Sequence, residues 1–193
     1  MASPIATRMT FDEFLALPET KPYREFVRGE VFEKPMPNPD HSALVFELAG
    51  LLRDYLREHP EGRGGTELRH ADRAEERVYL PDLNVTTGGR AAPRGSTAPV
   101  EQAPDFAIEV LSPDDRVTRI LDKADFYMRS GVKLLWLVDP ENESVTVYRP
   151  GEQPVMRHAP ATIDAQPVLS DFHLDIGRLF AVLADGGDAE TNA

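Results

Sequence analysis

The chain has 193 residues, 41% of them hydrophobic and 28% charged, with a formal net charge of −12 and no cysteine. That length suits one domain with its own core, and the missing thiols exclude disulfides, thiolate catalysis and cysteine-held zinc or iron–sulfur clusters. The acidic excess argues against a nonspecific nucleic-acid coat, and the lack of a ~20-residue apolar stretch or a signal-like N-terminus argues for a soluble, cytoplasmic protein.

Taken in order, Thr10-Phe11-Asp12-Glu13 has the form of a capping box and opens a short helix through Leu17, stopped by Pro18. Tyr23 to Val27 and Glu30 to Lys34 read as a hairpin around Arg28-Gly29, and the prolines between Pro35 and Pro39 demand a loop. A helix follows from about Asp40 to Glu58, with Leu44, Leu48, Leu51, Leu52 and Tyr55 as its apolar stripe. Strands are expected around Thr66–His70 and Val78–Val85, then a loop from Gly88 to Pro99.

Asp105 to Leu111 is a short, nearly continuous apolar run, as a strand buried on both faces requires. Arg116 to Ser130 reads as a helix burying Val117, Ile120, Leu121, Ala124 and Met128, ended at Gly131. Lys133–Asp139 is a second buried strand, so the strand–helix–strand unit should be a parallel crossover. Ser144–Tyr148 is a more amphipathic strand, and Val155–Leu183 holds one or two strands and a short helix. The outline is α+β, a mixed β-sheet flanked by helices in a single domain over residues 10–184, with tails at 1–9 and 185–193, the latter small, acidic and disordered.

Two carboxylates interrupt apolar sequence. Glu109 sits in mid-strand, where burial costs several kcal/mol unless a cation or donor meets it, and alternation puts Asp105, Glu109 and Leu111 on one face. Asp82, in Pro81-Asp82, lies 27 positions earlier on a neighbouring strand. Carboxylates paired on a sheet suit Mg²⁺ or Mn²⁺, which take oxygen ligands. The plainer role for Asp82 is a strand kink bonded to the backbone. Lys123, with Ile120 and Tyr127 at i−3 and i+4, borders the buried stripe and can reach Glu109. A structural ion pair and a catalytic ammonium are both consistent with that placement. Glu25 and His41 are weaker candidates, and Asp105 reads as a backbone anchor. Ser112, Asp114 and Asp115 look like helix caps. The histidines show no zinc-ligand spacing.

The stretches Arg24-Glu25-Phe26-Val27-Arg28-Gly29-Glu30-Val31, Leu80-Pro81-Asp82-Leu83, Ala103 to Pro113, Lys123…Tyr127 and Gly131 to Pro140 occur in order. Together they resemble the bacterial Uma-two family of restriction-endonuclease-like proteins, within the PD-(D/E)XK nuclease superfamily, over most of the chain. The resemblance implies a restriction-endonuclease-like fold in which Asp82 is the PD aspartate and Glu109 the acidic residue of the second half-motif. Leu111 stands where that half-motif has its lysine, and Lys123 matches the lysine moved to the following helix. Arg24 departs from the tyrosine that usually precedes the glutamate.

The resemblance implies a Mg²⁺- or Mn²⁺-dependent endonuclease acting on nucleic acid, DNA above all. Asp82 and Glu109 would hold the metal, Lys123 would handle the attacking water and Glu25 would add support. Such nucleases commonly act as homodimers. A catalytically silent nuclease-fold module that binds nucleic acid or a protein partner is the alternative. Arg63, Arg69, Arg73, Arg77, Arg90 and Arg94 form the only run of positive charge, either a phosphate-contacting edge or a balance for Glu67, Glu75 and Glu76.

Overall fold

The computed structural model describes residues 8–113 and 115–184, so Asp114 and most of both expected tails lie outside the described residues. The N-terminal part comprises α1 (Phe11–Leu15), β1 (Arg24–Val27), β2 (Glu30–Glu33) and α2 (Pro39–Glu58). Four short strands follow, β3 (Gly62–Thr66), β4 (His70–Asp72), β5 (Arg77–Tyr79) and β6 (Leu83–Thr87). Then come β7 (Phe106–Val110), α3 (Val117–Ser130), β8 (Leu134–Asp139) and β9 (Ser144–Tyr148). β10 (Val155–His158), β11 (Thr162–Asp164), β12 (His173–Asp175) and α4 (Ile176–Ala181) complete the chain. Among the described residues no helix is long and apolar enough to cross a membrane.

Local chemistry explains most of these boundaries. Thr10 and Glu13 form the expected capping box of α1, which ends at Leu15, two residues sooner than Pro18 alone requires. Arg28 and Gly29 both take positive φ (47° and 93°), which makes the β1–β2 turn compatible with the twist of its strands. Asn38 caps α2 by accepting from the His41 N–H at 2.8 Å, with Pro39 as the first helical residue. Gly131, at φ 99°, closes α3 in the left-handed conformation. The N-cap of α3 is Arg116, without a side-chain cap bond. Asp115 instead accepts from Ser112 N at 2.8 Å and closes the preceding turn, so neither residue caps the helix as expected.

The strands sort into a six-stranded sheet, β10-β9-β8-β7-β6-β3, a four-stranded sheet, β2-β1-β5-β4, and the β11-β12 ribbon, where one mixed sheet was expected. β7 and β8 pair in parallel with α3 as their crossover, and their neighbours pair antiparallel. The expected strand Val78–Val85 is in fact two strands in two different sheets. Pro81 lacks the N–H a continuous ladder needs, and Leu80-Pro81-Asp82 carries the chain from one sheet to the other. The C-terminal part has three strands instead of one or two.

Alternation divides the central strands between two cores. Phe106, Ile108, Val110, Leu134, Trp136 and Val138 face Leu44, Leu48 and Leu52 of α2. Ala107, Leu135 and Leu137 face Ala124, Phe126 and Tyr127 of α3, together with Tyr79. α3 is rotated from the expected stripe, since Val117 and Leu121 are 68% and 55% exposed. The aromatic residues decide the rotation: Tyr79 packs edge-on against Phe126 and Tyr127, and Arg77 stacks on Phe126 while pairing with Asp122. Buried aromatic area outweighs two aliphatic side chains.

Asp105 is fully buried and anchors the start of β7. Its Oδ2 accepts from Thr87 N at 2.8 Å and Thr87 Oγ1 at 3.1 Å, while Oδ1 pairs with Lys133 at 2.9 Å and with Arg90. Burial works to raise its pKa, but Arg90, the Thr87 amide and Lys133 outweigh it and hold the carboxyl at about 2. A depressed folded-state pKa contributes stability that is complete above the unfolded value and lost as pH falls through the folded one. Wild-type protein should therefore lose on the order of 1 kcal/mol between about pH 4 and pH 2 through this residue, after allowance for solvent screening at the half-exposed Arg90 and Lys133. Urea unfolding of Asp105→Asn should show that part of the acid dependence removed.

Candidate active site

Glu25, Asp82, Glu109 and Lys123 come from four separate elements and meet in one cleft. β1 supplies Glu25, the link between the sheets supplies Asp82, β7 supplies Glu109 and α3 supplies Lys123. Leu83 pairs with Ile108 in the β6–β7 ladder, so one step further Asp82 and Glu109 stand side by side. The Asp82 carboxylate closes that junction, with Oδ2 accepting from Val110 N at 2.8 Å. The kink and the paired carboxylate of the sequence reading are thus one feature.

All three carboxylates are nearly buried, at 5%, 2% and 7% exposure for Glu25, Asp82 and Glu109. Each meets a cation. Lys123 Nζ lies 2.8 Å from Glu25 Oε1 and 2.9 Å from Glu109 Oε1, so it bridges the two. Arg119 reaches Glu25 Oε2 at 3.2 Å while stacking on Phe32. Lys34 donates to Asp82 Oδ1 at 2.6 Å and to the Leu80 carbonyl at 3.0 Å. His41 Nε2 lies 3.4 Å from Asp82 Oδ2, and Tyr127 O–H donates to Glu109 Oε1 at 2.5 Å.

These surroundings separate the acids electrostatically. Burial alone would raise Asp82, but Lys34 and His41 hold it well below the usual carboxylate range. Burial also opposes ionisation of Glu25, and Lys123, Arg119 and Lys34 lower it despite that. For Glu109 burial prevails. Lys123 and Lys34 pull against it, Asp82 and Glu25 add like-charge repulsion, and the carboxyl is pushed up to about 7. Lys123 is desolvated too, yet Glu109 and Glu25 raise its pKa above the ordinary lysine value, which keeps the ammonium charged at neutral pH.

Among the described residues no three His, Asp or Glu side chains form a group arranged to hold a metal ion. Donor chemistry nevertheless fits Mg²⁺ or Mn²⁺. Asp82 and Glu109 present hard carboxylate oxygens on adjacent chain segments, and Mg²⁺ commonly binds through one or two carboxylates while keeping several waters. Lys123 and Tyr127 both act on Glu109 Oε1, leaving Oε2 outside those bonds.

Sequence reasoning named four of the converging residues and His41, and it placed Asp105 correctly as an anchor outside the cleft. It passed over Lys34 and Arg119 and assigned Tyr127 no role. Arg119, Lys123 and Tyr127 are spaced i, i+4, i+8 on α3, a single-face stripe visible in the sequence. Glu25 pairs with Phe32, so alternation puts Lys34, one residue past β2, on the same face as that partner. Five arginines of the run have partners within the fold, while Arg63, Arg73, Arg90 and Arg94 remain exposed. Arg73 pairs with Asp12, Arg77 with Asp122 and Arg90 with Asp105, Arg63 donates to the Ala92 carbonyl, and Arg69 lies over Phe14. Glu75 is met by Arg28 and Arg129 instead.

Because Lys123 bridges two buried carboxylates, Lys123→Met should destabilise the metal-free protein by about 3 kcal/mol, the loss expected when one partner of a buried pair is removed. Glu109→Gln in the same chain should restore part of it. Chemical unfolding of both variants checks the pair, and an unchanged midpoint for Lys123→Met contradicts it.

The profile of the Uma2 family, described as "Putative restriction endonuclease", matches residues 11–177. A crystal structure of a protein from Anabaena variabilis ATCC 29413, described as a putative nuclease belonging to DUF820, superposes with a TM-score of 0.81 at 33% identity, over 91% of this chain and 99% of that one. No curated protein matches the chain. The mixed α+β architecture is that of this relative, and by the extent of the family match the chain belongs to the Uma2 family.

Proposed function

We propose that the chain is a divalent-metal-dependent endonuclease that hydrolyses phosphodiester bonds in nucleic acid, with DNA as the first substrate to try. The observation that carries this reading is the convergence of Asp82, Glu109, Glu25 and Lys123 in one cleft of a chain whose family is described as "Putative restriction endonuclease". Asp82 and Glu109 would hold Mg²⁺ or Mn²⁺. When bound, the cation supplies charge neutralisation at a scissile phosphate and a lowered pKa for water. Lys123, kept protonated by its two carboxylates, orients a water or stabilises charge growing on the phosphate; it is not a base. Glu25 holds Lys123 and Arg119 in place, and Tyr127 orients the Glu109 carboxylate. Leu111 lines the same cleft, so an apolar side chain leaves room for the lysine that arrives from α3.

One observation favours a second reading. Three carboxylates already face three cations, Lys34, Lys123 and Arg119, and the arginine run is largely engaged within the fold. A catalytically silent module that binds nucleic acid or a protein partner would tolerate such a self-neutralised cleft. For the active reading, a homodimer matches the two strands of duplex DNA.

Calorimetry should show saturable Mn²⁺ binding to wild-type protein and none to Glu109→Ala. Indistinguishable titrations would overturn the metal assignment. Below its melting temperature Lys123→Met should fail to nick supercoiled plasmid in Mg²⁺ or Mn²⁺, and Leu111→Lys/Lys123→Met should recover part of the nicking. Metal binding without cleavage of any DNA or RNA tried would put the silent module ahead. Light scattering at micromolar concentration should report about twice the 21.5 kDa chain mass, and a value at the chain mass would reject the dimer.

A further inference from the structure

Lys34 has no part in the mechanism just described, yet it makes the shortest ion pair of the cleft. Its backbone extends the β1–β2 hairpin, with Lys34 N donating to Tyr23 O at 2.7 Å, and its side chain is only 11% exposed. Asp82 Oδ2 is committed to Val110 N and His41, so Oδ1 is the oxygen left for a cation, and the Lys34 ammonium holds it at 2.6 Å. With Lys123 and Arg119 it balances Glu25, Asp82 and Glu109 one for one once all three are ionised. A divalent cation added to that cluster without a departure would leave it with two surplus positive charges in a poorly solvated cleft.

Of the three cations, Lys34 is the one placed to leave. Lys123 is gripped by two carboxylates, and Arg119 touches Glu25, not the proposed metal ligands. Lys34 has an alternative partner in reach. Glu67 Oε1 lies 3.6 Å from the ammonium and is 41% exposed, toward solvent. Glu67 is itself fixed at this junction, with its N–H bonded to the Pro81 and Asp82 carbonyls at 3.1 and 3.2 Å.

We propose that Lys34 is the resident counter-ion of the cleft and sets its affinity for a divalent cation, which binds by displacing the Lys34 ammonium from Asp82 to Glu67. This rests on the metal-dependent reading above. Lysine and metal are then competing ligands of one carboxylate oxygen, and the coupling between them is reciprocal. The chain without the lysine charge should be less stable without metal and bind metal more tightly.

The experiment is Mn²⁺ calorimetry, with thermal unfolding in the absence of metal, on wild type, Lys34→Met, Lys34→Gln and Glu67→Gln. Lys34→Gln is included because it can still donate to the Leu80 carbonyl and so spares the fold if Lys34→Met does not. Neutralising Lys34 should tighten Mn²⁺ binding by about tenfold or more, within the usual range of such couplings, and lower the metal-free melting temperature. Glu67→Gln should weaken binding by about threefold in wild type and by nothing in the Lys34→Gln background, because its effect acts through the displaced lysine. Detectable binding only in the neutralised variants would support the proposal still more strongly. Equal or weaker Mn²⁺ affinity in folded Lys34→Gln, beside a wild type that binds, overturns the role of Lys34 and leaves the metal-dependent function standing. Absence of binding in every variant overturns both.

Discussion

Three buried carboxylates around one cleft impose the constraint on which this structure turns. None of Glu25, Asp82 and Glu109 exposes more than 7% of its surface, and an ionised carboxylate without a partner at such depth would cost far more than a domain of this size can absorb. Compensation arrives from every layer of the molecule at once. The hairpin sends Lys34, α3 sends Arg119, Lys123 and Tyr127, the β7 backbone offers the Val110 N–H and α2 presents His41. The two sheets are joined electrostatically where the chain itself crosses between them, at Leu80-Pro81-Asp82.

Compensation is uneven. Asp82 and Glu25 are stabilised as anions, whereas Glu109 is pushed up to about 7 because burial and two neighbouring acids outweigh the lysines that face it. Strain at that one carboxylate is the setting in which the proposed cation would bind near Glu109, with one resident cation displaced. Catalytic clefts characteristically trade stability for such perturbed groups.

The fold places this cluster by means of two different periodicities. Alternation along β7 sends Phe106, Ile108 and Val110 into the α2 core and leaves Ala107 and Glu109 on the α3 side. On α3 the spacing of four aligns Arg119, Lys123 and Tyr127 over that same face. Because β7, α3 and β8 form one parallel crossover unit, the helix that follows Glu109 must return across the sheet, which brings Lys123 within 2.9 Å of it. A lysine on the helix thus reaches a carboxylate on the strand without any change of topology.

Local chemistry determined a good deal from sequence alone. The capping box at Thr10, the Arg28-Gly29 turn, the stripe of α2, the buried β7 and β8 strands and the stop at Gly131 follow from residues a few positions apart, and so does the oddity of Glu109 in an apolar run. Asp82, Glu109, Lys123 and Glu25 were named as candidates because charge in apolar sequence, matched in order to a family pattern, is a local signal. What only tertiary structure decided was long-range pairing: that Pro81 splits one strand between two sheets, that Tyr79 and Arg77 rotate α3 to bury Phe126 and Tyr127, and that Lys34 arrives at an aspartate 48 residues away. An exposed-looking lysine at a hairpin end carries no mark of its eventual partner, since that partner is set by how the sheets meet and not by any spacing within the strand.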